Sequence, residues 1–115
     1  MEYKKIKLRF READRDIFEA IKDSRKTVET RAATERYYKI KVGDILVLSC
    51  GKNKFKKKIF KVRIFKTISG LLKRYKVRQI NPYLKTLKEL EEMYYRFPGY
   101  KEKIKKSGLI AMELK

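Results

Sequence analysis

Hydrophobic and polar positions alternate cleanly at the start of the chain. Over residues 5–11, Ile6, Leu8 and Phe10 fall on one face and Lys7, Arg9 and Arg11 on the other, which predicts a half-buried strand. The period then becomes helical over residues 12–24, with Ile17, Phe18 and Ile21 in a stripe and Ala13 and Ala20 beside it. Asp14 and Asp16 lie at the start of that helix and Lys22, Arg25 and Lys26 near its end, the arrangement a helix dipole favours. A second strand is expected over residues 27–33, where Thr27, Glu29 and Arg31 share one face and Val28, Thr30 and Ala32 the other.

A polar connection over residues 34–40 leads to Lys41-Val42-Gly43-Asp44, a tight-turn pattern. It launches an apolar strand over residues 45–49, and Gly51-Lys52-Asn53-Lys54 turns that strand into a hairpin. The returning strand is expected over residues 55–66, with Phe60, Val62 and Ile64 toward the core and Lys61 and Arg63 on the other face beside Ile59 and Phe65. A helical period covers residues 68–77 through Leu71, Leu72 and Tyr75, and Pro82 breaks the chain. Thr86 with Glu89 three residues on reads as a capping box, opening a helix that runs through Leu87, Leu90, Met93 and Tyr94 to Phe97, before Pro98-Gly99. Residues 100–107 read as one short turn of basic helix, and Gly108 precedes a last strand over residues 109–114. Five strands with helices inserted at two places predict a single α+β domain, a small mixed β-barrel of about five to six strands.

Composition sharpens this picture. Of 115 residues, 33 are Lys or Arg and 14 are Asp or Glu, a formal charge of +19. The 43% hydrophobic content is enough for a core, so the charge does not signal disorder. Such a surface suits a polyanion, and nucleic acid is the first candidate. Heat adaptation is the competing reading, since Asn53, Asn81 and Gln79 are the only amides and there is one cysteine and no tryptophan. That bias raises both signs of charge, however, and here the basic residues dominate. No apolar run is long enough to span a membrane, and Met1-Glu2-Tyr3-Lys4-Lys5 has no secretory apolar region, so a cytoplasmic protein is expected.

With no histidine, His-based triads, proton shuttles and zinc ligation are excluded. Cys50 stands alone after an apolar run and reads as a buried, inert thiol. No metal and no cofactor is expected. The candidate chemistry lies in Lys26, Glu29 and Arg31. Arg31 offers a planar fork to a phosphate or carboxylate, Glu29 an acceptor for an exocyclic amine or ribose hydroxyl, and Lys26 a cation or, with a lowered pKa, a base. The alternative is a salt-bridged surface without a ligand. Tyr37 and Tyr38 are candidates for stacking on a base. Lys54, Lys56, Lys57, Lys58, Lys61 and Arg63, interleaved with aromatics, suit a phosphate backbone; a lysine-protected edge strand is the other reading.

The motif Lys26-Thr27-Val28-Glu29-Thr30-Arg31, the turn Val42-Gly43-Asp44 and the terminal Gly108-Leu109-Ile110-Ala111-Met112-Glu113-Leu114 resemble, in this order, the ASCH domain of the PUA-like superfamily. The resemblance implies a β-barrel related to the PUA RNA-binding domain. It also implies a cleft beside the barrel, lined by the Lys-x-x-Glu-x-Arg strand, that holds RNA or a nucleotide; Asp44 joins the ligand-binding candidates on this ground. Some relatives are enzymes: one branch hydrolyses the amide of acetylated cytidine nucleosides with a lysine, a threonine and a glutamate, and another member resembles a ribonuclease. The lysine falls on Lys26. The threonine falls on Glu29, with Thr27 the nearest threonine on the same strand face, and the glutamate falls in Ile80-Asn81-Pro82-Tyr83-Leu84-Lys85, which has no carboxylate. Lys26, Thr27 and Glu29 are thus the catalytic candidates of an incomplete set. The expectation is RNA binding before amidohydrolase or ribonuclease catalysis.

Overall fold

The computed structural model describes residues 3–115. Five strands form one sheet: β1 (Lys5–Phe10), β2 (Val28–Ala32), β3 (Ile45–Cys50), β4 (Asn53–Phe65) and β5 (Leu109–Leu114), in the spatial order β1-β3-β4-β5-β2. β1 lies parallel to β3, and the other neighbours are antiparallel. The sheet curls into a half-barrel whose edge strands, β1 and β2, do not pair with each other. That open seam is where the site forms.

Both faces of the sheet are covered where β5 runs. Leu109 and Ala111 face an outer layer of helices, while Ile110, Met112 and Leu114 face the inner core with Leu8, Leu46, Leu48, Cys50 and Ile59. This explains why β5 is almost continuously apolar: a strand buried on both sides has no solvent face. α1 (Arg15–Lys22), preceded by a 3-10 turn over Glu12–Asp14, closes the inner core with Phe18 and Ile21. The outer layer consists of α2 (Ile68–Arg74), α3 (Val77–Ile80), α4 (Leu87–Arg96) and α5 (Tyr100–Ser107), whose Leu71, Ile80, Leu90, Tyr94 and Ile104 pack on the β2 and β5 face.

Three local expectations need correction. In β4, Ile59 rather than Phe60 enters the core: Ile59 is fully buried and Phe60 is 37% exposed. A register shift between Ile59 and Lys61, opposite β5, inserts an extra residue there, and a β-bulge exchanges the faces beyond it. As a result Val62 joins Ile59 on the inner side, and Lys61 and Arg63 join Lys54, Lys56 and Lys58 on the outer side. Ile64 is also left 54% exposed. The helix expected over residues 68–77 ends at Arg74, with α3 starting anew at Val77, because Tyr75 turns extended at ψ 148° and buries its ring, its hydroxyl donating to Glu113 Oε2 at 2.6 Å. The basic turn after Gly99 is a full helix of 8 residues. The capping box is as expected: Glu89 N donates to Thr86 Oγ1 at 3.1 Å and Thr86 N to Glu89 Oε1 at 3.1 Å.

Gly108 sets the entry to β5. It adopts φ 76° and ψ −165°, a region essentially confined to glycine, and a Cβ there would collide with the carbonyl oxygen of Phe65. Gly99 has φ 72°, but a Cβ there would meet only Lys103 Cε, at 3.9 Å. Gly108→Ala is therefore expected to lose about 3 kcal/mol of unfolding free energy, and Gly99→Ala about 1 kcal/mol. Urea denaturation of the two variants checks the difference; equal losses would contradict it.

Candidate functional site

The seam between the edge strands holds a cavity of about 490 Å³. Its walls come from three places: the end of β1 and start of α1 (Arg9, Phe10, Arg11, Ile17), β2 with its lead-in (Lys26, Glu29, Thr30, Arg31), and the helix layer (Ile80, Asn81, Tyr83, Met93, Tyr94, Phe97, Tyr100). Strand alternation sends Glu29 and Arg31 to the inner side, opposite Met112 and Ile110 of β5, and Val28 and Ala32 to the helices.

A chain of buried charge occupies the cavity wall. Lys26 Nζ donates to the carbonyl of Val28 at 2.7 Å and to the carbonyl of Ile80, and lies 3.3 Å from Glu29 Oε1. The backbone N–H of Thr30 also donates to Glu29 Oε1, at 3.1 Å, and Arg31 Nη2 donates to Glu29 Oε2 at 3.2 Å. The Lys26 and Glu29 side chains are only 4% and 7% exposed, whereas Arg31 is 28% exposed. An ammonium has three donor directions, and all three of Lys26 are taken. A guanidinium has five N–H groups, and Arg31 gives one to Glu29. Its charge centre sits 6.0 Å from the Phe10 ring centroid and 5.9 Å from that of Tyr37, which hold its plane in place.

Burial and charge act against each other on these groups. Burial pushes the Lys26 ammonium below its ordinary pKa, with Glu29 opposing. Burial would raise the Glu29 carboxyl, but the charges of Lys26 and Arg31 outweigh it and hold Glu29 below the usual carboxylate range. Burial likewise works against the Arg31 cation, and Glu29 more than restores it. Tyr94 and Tyr100 are both raised, chiefly by burial.

The structure thus brings Lys26, Glu29 and Arg31 together, and separates other candidates from them. Thr27 lies outside the cavity wall; its carbonyl accepts from Leu114 N at 2.9 Å. The threonine in the wall is Thr30, whose hydroxyl is paired with that of Tyr94. Tyr37 backs Arg31 from outside the cavity, and Tyr38, 47% exposed, lies under Lys39 instead. Asp44 is corrected from ligand to turn residue: it is fully buried, Oδ1 accepting from Lys4 N at 2.9 Å and Oδ2 from Lys41 N at 3.0 Å. Of the basic hairpin, Lys57 departs from the outer face, its Nζ donating to Ser24 Oγ at 3.1 Å. Lys54, Lys56 and Lys58 stand opposite Ser49, Val47 and Ile45, whose other neighbours are Arg9, Lys7 and Lys5. Six cations therefore flank β3 on the outer face.

Asn81, Met93 and Tyr100 are wall residues that sequence reasoning missed. The Tyr100 hydroxyl oxygen accepts from Ala32 N at 3.0 Å and reaches the cavity. Only the fold brings these three to β2, so no local pattern announces them. Among the described residues, no group of three or more His, Cys, Asp or Glu side chains is placed to hold a metal ion, and no helix is long and apolar enough to cross a membrane.

Removing one partner from a buried charge chain leaves the other charges uncompensated. Glu29→Gln is expected to lose about 3–5 kcal/mol of stability at neutral pH. Because folding lowers the Glu29 pKa, its stabilisation is complete above the unfolded carboxyl value, about 4.3, and is lost as pH falls through the lower folded value. Denaturant melts across the acid range should show a shallower acid limb in the variant; parallel limbs would contradict the role of Glu29.

No protein-family model matches the chain, and neither does any curated protein. Solved structures do. The crystal structure of the hypothetical protein PH0355 has a TM-score of 0.82 and 28% identity, covering 96% of this chain and 97% of its own. The solution structure of protein PF0455 from Pyrococcus furiosus has a TM-score of 0.76 and 27% identity, covering 96% of each chain. The chain is similar to both over nearly its whole length, and they share its mixed α+β half-barrel.

Proposed function

We propose that this protein binds RNA, holding a nucleotide in the seam cavity and the phosphate backbone on the outer face of β1, β3 and β4. The observation that carries the reading is Arg31. It is the one charged member of the buried chain with donors left for a ligand, and it sits at a cavity in a chain of formal charge +19. A cation with a planar donor fork, backed by two aromatic rings, suits phosphate. The ordered motifs that resemble the ASCH domain support the same reading, and the half-barrel is consistent with a PUA-like fold.

The geometry favours binding over catalysis by Lys26. A general base needs a free lone pair, and the Lys26 nitrogen is spent on two carbonyls and a carboxylate. The segment from Ile80 to Asn81 meets Lys26 through a carbonyl and contributes an amide side chain where the amidohydrolase pattern requires a carboxylate.

The outer-face cations of one strand stand about 6.7 Å apart, two residues of strand rise. Each phosphate they neutralise adds about 0.7 to the slope of log affinity against log salt for single strands. Fluorescence anisotropy with single-stranded RNA at several salt concentrations should therefore give a steep slope. Replacing Lys54, Lys56 and Lys58 together with Ala should lower that slope by about 2. Failure to bind RNA even at low salt would contradict the reading.

A further inference from the structure

The buried part of the cavity wall offers hydrogen-bond donors, while its buried acceptors are already engaged. Glu29 would be the obvious acceptor, but its oxygens already receive Lys26, Thr30 N and Arg31. The Val28 and Ile80 carbonyls receive Lys26, and the Thr30 and Tyr94 hydroxyls are paired with each other. The open acceptors lie at the exposed mouth, where Asp14 Oδ2 accepts from Arg11 Nε at 2.9 Å and Asp16 Oδ1 from Ile17 N at 2.8 Å while the second oxygen of each carboxylate stays open.

The donors are of three kinds. Arg31 keeps four of its five N–H groups. The Tyr100 oxygen accepts from Ala32 N, so its own proton is available. Asn81 is the third. Its Oδ1 accepts from Tyr83 N at 2.9 Å, which fixes the amide orientation and leaves the Nδ2 group as a donor. The only partner of Nδ2 is the Met93 thioether at 3.4 Å, a weak acceptor, although Asn81 is just 8% exposed. A buried donor so poorly matched calls for a stronger acceptor.

We propose that this wall takes the terminal phosphate monoester of an RNA chain, not a base edge; the proposal rests on the RNA-binding reading above. Every Watson–Crick edge carries at least one N–H, which would be left unpaired against a wall of donors; the all-acceptor N7/O6 edge of guanine is the base edge that competes for such a wall. A phosphate monoester carries three acceptor oxygens and about −1.5 to −2 charge at neutral pH. The lining carries four cations, Arg9, Arg11, Lys26 and Arg31, against three carboxylates, Asp14, Asp16 and Glu29, with Asp14 already paired to Arg11. A chain end has a single attachment, so its phosphate can reach a wall as deep as Asn81. An internal phosphodiester would have to bring two nucleosides into about 490 Å³. The Tyr83 and Phe97 rings, 49% and 43% exposed on the same cavity, give the terminal base a surface to stack on without reading its identity.

The test compares one short single-stranded RNA bearing a 5′-phosphate, a 3′-phosphate or hydroxyls at both ends, titrated into the full chain at fixed salt. One phosphorylated form should bind at least about tenfold more tightly than the hydroxyl-ended form. Changing the terminal base should alter its affinity by no more than about threefold. Arg31→Lys, which keeps the charge but loses the fork, should bring the phosphorylated chain down toward the hydroxyl-ended one; should that variant not fold, Tyr100→Phe should reduce the preference. Equal binding of all three chains would overturn the terminal-phosphate proposal and leave RNA binding standing. A strong preference for one terminal base would overturn it as well. Binding of none would overturn both.

Discussion

The buried ammonium of Lys26 is the contact on which the site depends. It ties the lead-in of β2 to the end of α3 through the carbonyls of Val28 and Ile80, and so fixes the distance between the strand edge and the helix layer. A lone ammonium at that depth would be costly, and Glu29 neutralises it. Glu29 in turn orients Arg31, and the Phe10 and Tyr37 rings keep that guanidinium in place. Charge enters as a buried pair that holds the structure together and emerges at Arg31 as an open donor fork. Lys26 and Glu29 are anchors, and Arg31 keeps donors open toward the cavity.

Sheet curvature creates the space for this arrangement. Because β1 and β2 end the sheet without pairing, their neighbouring side chains face a gap instead of a ladder. Three outward-facing groups of β2 are satisfied by side chains: Val28 C=O by Lys26, Thr30 N–H by Glu29 and Ala32 N–H by Tyr100. An edge strand capped in this way resists pairing with another chain. The bulge in β4 has a second effect. By exchanging faces after Ile59, it collects Lys61 and Arg63 on the same side as Lys54, Lys56 and Lys58, while Ile59 and Val62 stay inside.

Much of the fold was legible because most segments follow one period. The alternation of Ile6, Leu8 and Phe10, the Thr86–Glu89 capping box and the apolar run of β5 each point to the element found there. The bulge at Phe60 was not legible, since a local count of alternation cannot show an extra residue defined by a partner strand. In the site, strand periodicity placed Glu29 and Arg31 on one face, whereas Lys26 joins them from the lead-in before Val28. Their roles did not follow from periodicity. The Ile80 carbonyl that engages Lys26 comes from 54 residues away, and Asn81, Met93 and Tyr100 reach the wall only through the packing of the helices. Asp44 shows the reverse case: a carboxylate that read as a possible ligand is taken up by backbone N–H groups of its own turn and of the lead-in to β1.

The central claim is a division of labour: Lys26 and Glu29 hold the site, and Arg31 meets the ligand. Nitrogen-15 NMR of side-chain ammonium and guanidinium groups reads both at once. In the free protein, the Lys26 ammonium should appear as a protected, slowly exchanging signal, because its three donors are buried and bonded. On addition of the tighter-binding end-phosphorylated RNA the Arg31 signals should shift, and those of Lys26 should stay in place. A Lys26 signal that exchanges freely, or that moves on binding while Arg31 does not, would contradict the account.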